Sequence, residues 1–156
     1  MIEQLLEAAL VSAIESLQLA KLKVEGFWAV PATGEVKLAE GPAYQAYVRV
    51  KAAVREFETF SAPRCSVALK VGLAVRQEWG VEGLADYAGV IAAKLQEYQL
   101  SLPAVKRDFA VAGFAPHGAR VDGGEPVYDE GSCMYSVGFQ LTVRGYVSET
   151  NETAEL

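Results

Sequence analysis

The stretch Val67-Ala68-Leu69-Lys70-Val71-Gly72-Leu73-Ala74-Val75 decides the fold class, because large apolar residues occupy every second position in it. A period of two is typical of a β-strand that has one face in a core and the other face outside it. The preceding segment Tyr44–Thr59 alternates in the same way, and Ser61–Arg64 between the two contains a proline typical of a turn. Together the two segments predict a long antiparallel hairpin.

Two other segments have apolar residues at three- and four-residue spacing, which is the period of an α-helix. In Ile2–Gln18 the apolar residues fall on one side, and Glu3, Glu7 and Glu15 fall on the other. Val81–Tyr98 has the same spacing, and we expect the segment Leu100-Ser101-Leu102-Pro103 to end that helix. Each segment therefore predicts an amphipathic helix with one side in the core.

The rest of the chain contains shorter alternating segments and one irregular one. Val24–Val30, Arg107–Phe114 and Met134–Val147 alternate as strands do, and Val36–Leu38 indicates a short strand or the edge of a turn. Ala115–Ser132 is rich in Gly, Asp and Pro, so we expect a loop or a loose hairpin tip there.

The order of these elements predicts an α+β fold. We expect a two-layer sandwich, in which a mainly antiparallel sheet has two amphipathic helices on one face. Because the strands alternate so regularly, the other face is expected to meet solvent or a partner. No linker or repeat divides the chain, so residues 1–148 are expected to form a single domain. Residues 149–156 are polar and acidic, and we expect a disordered tail.

Charge and composition argue against several classes of function. The chain has 156 residues, a net charge of -6 and 51% hydrophobic residues, which is a globular composition. Its acidity argues against sequence-specific nucleic-acid binding, because phosphate contacts need clustered Lys and Arg. No apolar run is long enough for a membrane span, and the acidic start Met1–Glu7 does not resemble a secretory signal. We therefore expect a protein of the cytoplasm with no membrane partner.

Few residues are of the types that carry common catalytic or metal chemistry. The single histidine is His117, and the two cysteines, Cys65 and Cys133, lie far apart in sequence. A zinc site of the usual type needs several His or Cys ligands, and a nucleophile needs a base beside it. We therefore expect no enzyme, no catalytic residue, no cofactor and no metal, and we interpret both cysteines as buried or half-buried thiols.

Carboxylates are numerous enough to leave one chemical alternative open. Glu56 and Glu58 share a strand face, and the Gly-rich segment holds a further acidic group: Asp122, Glu125, Asp129 and Glu130. Acid-pair catalysis needs two carboxyls in unlike environments. The acidic group also lacks the regular ligand spacing of an EF-hand. We interpret these acids as solvated, with calcium binding as the weaker alternative.

A basic group on the predicted hairpin gives the candidate site. Arg49, Lys51 and Arg55 alternate along one strand, Lys70 lies on the polar face of the next, and Tyr47 falls among them. Such a group is also common on an ordinary solvated sheet face. The functional hypothesis is a surface that meets an acidic partner or the next copy of the same subunit. A tyrosine at a partly wet position suits an interface of this kind.

In element order, the chain resembles the phage tail terminator and tail completion proteins, also called minor tail or head–tail joining proteins. The resemblance extends from Ile2–Gln18 through Val67–Val75 and Val81–Tyr98 to Tyr135–Tyr146. Within the last of these, Ser136–Gly145 resembles the closing strand of that group. The resemblance as a whole depends on the order of the elements, because the group has no catalytic signature to match.

The resemblance implies a non-enzymatic structural subunit. Members of the group form rings, often six-fold, that cap the tail tube or join it to the head. It therefore implies self-association, contacts with tail-tube and head–tail connector proteins, and passage from the cytoplasm of a host bacterium into the virion tail. Two features depart from the pattern: the segment Ala115–Ser132, read as an insertion, and the acidic tail after Ser148.

Two alternatives from other functional classes remain. The first is a small-molecule-binding or enzymatic α+β domain with a pocket between the sheet and the second helix, lined by Trp28, Tyr87 and Phe139. The second is a homodimer module that pairs sheet faces. The state of association in solution distinguishes both alternatives from a ring.

Overall fold

A computed structural model describes residues 2–27, 46–58, 64–76, 80–129 and 134–147. These residues form three helices and a five-stranded sheet in the strand order β1-β2-β3-β5-β4. The elements in chain order are α1 Ile2–Glu15, β1 Leu22–Gly26, β2 Ala46–Glu58, β3 Arg64–Arg76, α2 Gly80–Leu100, α3 Leu102–Phe109, β4 Phe114–Asp129 and β5 Met134–Val147.

The predicted hairpin is confirmed as the pairing of β2 with β3. The two strands are antiparallel, and their register runs from Ala46 opposite Val75 to Glu58 opposite Arg64. β5 pairs antiparallel with β3 and with β4, whereas β1 pairs parallel with β2. The sheet is therefore mainly antiparallel, as predicted, with one parallel pairing among the described strands at the β1 edge.

A single core lies between one face of this sheet and the helices. Its strand contribution comes from alternate residues such as Val48, Leu69, Leu73 and Leu141. All three helices bury side chains in the same cluster, including Leu10 of α1, Ile91 and Leu95 of α2, and Val105 and Phe109 of α3. The α+β two-layer arrangement with the helices on one face is thus confirmed. None of the described helices is long and apolar enough to cross a membrane.

The predicted strand Arg107–Phe114 is wrong, because its first three residues end α3 and the next strand, β4, begins only at Phe114. Ser101 has an extended backbone, and its side chain accepts a hydrogen bond from the Ala104 backbone N–H at 3.3 Å. Pro103 lies in the first turn, where a proline costs no intrahelical hydrogen bond. Ser101 and Pro103 are therefore the start of a new helix, although the sequence pattern suggested only the end of α2.

The predicted loop Ala115–Ser132 is also wrong, because β4 continues to Asp129. The register of β4 with β5 shifts twice, between Pro116 and Gly118 and between Gly123 and Pro126. At the second shift Gly123 and Gly124 have φ angles of 98° and 115°, which favour glycine. The Gly and Pro residues therefore belong to β-bulges in an edge strand, and not to an insertion loop.

Other predicted boundaries change or lie outside the described residues. The first strand ends at Gly26, and α1 ends at Glu15. Glu7, predicted on the polar side of α1, is only 2% exposed. Three predictions concern residues outside the described ranges. They are the segment Val36–Leu38, the turn Ser61–Arg64 except for Arg64 itself, and the tail 149–156.

Candidate interaction surface on the open sheet face

The sheet face that points away from the helices is the candidate site, and we call it the outer face. Cross-strand register places its residues in rows. In one row Glu25 lies opposite Arg49, which lies opposite Gly72 and then Gly138. In the next row, Lys51 is opposite Lys70, which is opposite Gln140 and then Asp122. The register thus brings Arg49, Lys51 and Lys70 together, as the sequence predicted.

The middle of the outer face is basic, although the chain as a whole has a net charge of -6. The register places Glu56, Glu58, Arg76 and Asp129 near the two ends of this face. Among the outer-face side chains that the structure describes, the cations are Lys23, Arg49, Lys51, Arg64, Lys70, Arg120 and Arg144, and the acids are Glu25 and Asp122. Each acid already has a basic neighbour: Lys23 lies 2.7 Å from Glu25, and Arg120 lies 3.5 Å from Asp122. Among the described residues, Lys51 and Lys70 are exposed and take part in no ion pair. The centre of this face therefore has uncompensated positive charge.

The prediction that Tyr47 is wet is wrong. Tyr47 lies in the outer-face register, but it is only 4% exposed, and its hydroxyl donates a hydrogen bond to the Glu25 carboxylate. Burial and this hydrogen bond raise the pKa of Tyr47. Burial also acts to raise the pKa of Glu25, but hydrogen bonds from Lys23 and Tyr47 outweigh it and leave that pKa lowered. Tyr47 therefore ties β2 to the parallel neighbour β1 and is not free to contact a partner.

Phe27 is an outer-face residue that the sequence analysis missed. The Lys51 ammonium lies 4.4 Å from the centroid of the Phe27 ring, and the Arg49 guanidinium lies 5.9 Å from it. The ring is 38% exposed. Its position two residues after Glu25 was the available signal, because residues two apart on a strand share a face. Among the described residues, the aromatic ring exposed beside Arg49 and Lys51 is therefore Phe27, and not Tyr47. Tyr146, 40% exposed, is a second outer-face aromatic, opposite Arg64.

Arg55 cannot be assigned to the outer face by alternation. The register of β2 with β3 shifts between Val54 and Glu56, so that Val54 is opposite Val67 and Glu56 is opposite Ser66. Arg55 is the extra residue at this irregularity, and the period-two argument that placed it with Arg49 and Lys51 ends at Val54. Its side chain lies outside the described part of the chain.

An open groove of about 390 Å³ crosses the middle of the outer face. It is lined by Lys70, Val71, Gly72, Asp122, Gly123, Gly138, Phe139 and Gln140. Gly72 and Gly138 are direct register partners, and a Cβ atom built on either would meet no other heavy atom within 4 Å. The groove exists because these two adjacent positions have no side chain, and Lys70 and Asp122 supply charge at its edge.

Among the described residues singled out for possible chemistry, Asp122 lines this groove, whereas His117 and Cys65 lie apart from it. His117 is exposed on β4, with its ring centroid 5.0 Å from that of Tyr146. Cys65 is a buried free thiol, and burial raises its pKa. Within the described ranges, no three His, Cys, Asp or Glu side chains are grouped so that they could hold a metal ion. Cys133 and the side chains of Glu125, Asp129 and Glu130 lie outside those ranges.

Two of the residues proposed to line a pocket beneath α2 pack in the core. Tyr87 is 6% exposed, and its hydroxyl donates a hydrogen bond to the Ala20 carbonyl at 2.6 Å. Phe139 is 7% exposed and belongs to the same core cluster. Trp28 lies outside the described residues. Tyr87 and Phe139 therefore act as packing residues between the sheet and the helical layer.

Comparison with solved structures finds the fold in a virion protein. The chain is similar to one in a structure described as the virion of a native gene transfer agent (GTA) particle, with a TM-score of 0.54 and 14% sequence identity. The superposition covers 93% of this chain and 91% of the other. A scan against protein-family profiles finds no match, and neither does a search of curated protein sequences. At this identity the comparison establishes a shared fold over nearly the whole length of both chains.

Proposed function

We propose that this protein is a structural subunit of a phage-like virion. In the finer form of the proposal, it is a tail terminator or tail completion protein that forms a ring with copies of itself at the head–tail joint. The observation that supports this most is the fold, which is shared with a chain of a gene transfer agent virion over 93% of the present chain. The order of helices and strands along the chain is part of that shared fold.

The outer face supports a role in assembly. This face combines charge, an aromatic ring and a concave shape. Lys51 and Lys70 supply the charge, the half-exposed Phe27 supplies the ring, and the groove lined by glycines supplies the shape. Interfaces combine these same features, and complementary charge sets the register and choice of partner. In the proposed role, this face contacts neighbouring subunits, and the ring contacts tail-tube and head–tail connector proteins.

No catalytic step is part of the proposed role. The subunit would be made in the cytoplasm of a host bacterium and would enter the virion during tail assembly, without a cofactor. The net charge of -6 is compatible with a ring through which DNA passes without adhering to the protein.

The test is to locate the protein in particles. Particles purified from a host that carries the gene should contain the protein, and a gold label on it should lie at the junction of head and tail. Deleting the gene should leave heads and tails that do not join, or tails of abnormal length, and a plasmid copy should restore normal particles. Normal infectious particles without the protein would contradict the proposal, whereas a label elsewhere in the particle would contradict only the head–tail position.

A further inference from the structure

We propose that the outer face of one subunit receives the outward side of α2 from a second copy. This inference rests on the proposed function, because it identifies the partner of the surface assigned there to assembly. The outward side of α2 is defined by exposed residues at helical spacing: Glu82, Asp86, Gly89, Val90 and Ala93. It faces away from the core, into which the same helix buries Leu84, Ile91 and Leu95.

Charge is the first argument for this pairing. Glu82 and Asp86 are exposed and, among the described residues, form no ion pair. Lys51 and Lys70 on the outer face are likewise exposed, and they also lack an acidic partner within the described ranges. Placing these acids against these lysines joins two uncompensated charges of opposite sign. Pairing two outer faces would instead bring lysines against lysines, which argues against the homodimer alternative.

Shape is the second argument. Because Gly72 and Gly138 have no side chains, the outer face has a depression between β2 and β4. These two strands are separated by three strand spacings, or about 14 Å. A helix with its side chains is about 10–12 Å across, and it approaches a surface closely where its own side chains are small. The middle of the α2 outward side is formed by Gly89 and Ala93, with Val90 40% exposed beside them. A smooth helix side and a glycine-floored groove are therefore complementary in size.

The positions of the two surfaces define the type of assembly. The outer face and the outward side of α2 lie on opposite sides of the two-layer sandwich. A contact between them uses a different patch on each subunit and leaves one copy of each patch available for the next subunit. Such a heterologous contact forms a ring when its rotation closes, and a filament when it does not.

The experiment is a charge exchange between two variants of the full chain. The sheet variant carries Lys51→Glu and Lys70→Glu, and the helix variant carries Glu82→Lys and Asp86→Lys. Alone, each variant places like charges across the contact, and its self-association should weaken at least tenfold by sedimentation velocity. An equimolar mixture places opposite charges at every contact, so its association should return to near the wild-type value.

A matched control reverses charge elsewhere. Lys21 and Lys106 are exposed outside both surfaces, and the variant Lys21→Glu/Lys106→Glu has the same net charge as the sheet variant. It should associate like the wild type, and circular dichroism should show all variants folded. Undiminished association of either single variant, or a mixture that fails to recover, would overturn the proposed contact. The proposed function is tested separately, by the presence of the wild-type protein in particles. If the contact fails but the protein is in particles, the proposed function is retained, and if the protein is absent from particles, the function is contradicted.

Discussion

The carboxylate of Glu7 in α1 accepts a hydrogen bond from the backbone N–H of Ala52 in β2 at 3.2 Å. Ala52 lies just past the last register pair of β1 with β2, which joins Gly26 to Val50. A backbone N–H that is buried at this point requires an acceptor from elsewhere. Glu7, which is 2% exposed, supplies it and connects the helical layer to the end of β1.

Removing the Glu7 carboxylate should therefore destabilise the fold. We expect Glu7→Ala to lower the free energy of unfolding by about 2–3 kcal/mol, because it removes a buried carboxylate that accepts a hydrogen bond from the Ala52 backbone. Glu7→Gln keeps an oxygen acceptor and should cost about 1 kcal/mol. Urea unfolding followed by circular dichroism measures both values. Equal losses in the two variants would show that the hydrogen bond to Ala52 is not the cause.

Acid should weaken the junction between α2 and α3 through Asp108. Asp108 accepts hydrogen bonds from Arg107 and, at 2.6 Å, from the Tyr98 hydroxyl, and it lies 3.4 Å from Lys94. The Arg107 hydrogen bond is the largest cause that lowers the pKa of Asp108, to about 2. A lowered pKa in the folded state stabilises the fold above the ordinary carboxyl value of about 4, and that contribution is lost as the pH falls towards 2.

The variant Asp108→Asn separates this contribution from general acid unfolding. At pH 7 it should be less stable than the wild type by on the order of 1–2 kcal/mol, and the difference should shrink as the pH falls from about 4 to about 2. Asp122→Asn is the control, because the Asp122 side chain is 53% exposed and its ion pair with Arg120 is longer. A stability difference that stays constant down to pH 2 would contradict the assignment to Asp108.

Filling the groove should weaken association without unfolding the subunit. A Cβ atom at Gly138 would meet no other heavy atom within 4 Å, so Gly138→Leu projects into the groove and leaves the core unchanged. Gly118 on β4 is equally open and lies outside the groove, so Gly118→Leu is the matched control. We expect the first variant to lose self-association by sedimentation and the control to retain it. If both variants associate normally, the groove is not part of the contact.

The one histidine should be dispensable for assembly. His117 is exposed, and the contact described for it is with the ring of Tyr146. We expect His117→Ala to change the melting temperature by no more than a few degrees. The yield of joined particles should stay the same. A folded His117→Ala protein that fails to support particle formation would assign a function to this residue and count against a purely structural subunit.

The sequence predicts those parts of the fold that depend on local periodicity. The alternation of Val67–Val75 and the spacing of apolar residues in Val81–Tyr98 each report which face is buried, and both were confirmed. The start of α3 is not evident from periodicity, because Ser101 and Pro103 are typical of a helix end and also of a helix start. The glycine bulges in β4 resemble a loop in sequence, because a bulge and a turn use the same residue types.

The candidate site was predicted only in part, because two of its features depend on residues that are distant in sequence. Arg49, Lys51 and Lys70 share a face by alternation within one hairpin, which the sequence shows directly. The burial of Tyr47 depends on Glu25 from a parallel neighbour strand, and parallel pairing leaves no local signal. The groove depends on Gly72 meeting Gly138, a pairing that only the register of β3 with β5 reveals.

The central claim is that the subunits form a ring by contacts at the outer face. Cross-linking in assembled particles tests this claim most directly. Gln140→Cys in the groove and Ala93→Cys on the outward side of α2 are introduced together into a Cys133→Ser background, in which the four charged contact residues are kept and Cys65 stays protected by burial. Treatment of particles with a short bis-maleimide should give a ladder of covalent oligomers that ends at one closed-ring size, whereas each single-cysteine variant should stay monomeric. Particles that contain the double variant but give no oligomers beyond the single-cysteine controls would contradict a ring built through this contact.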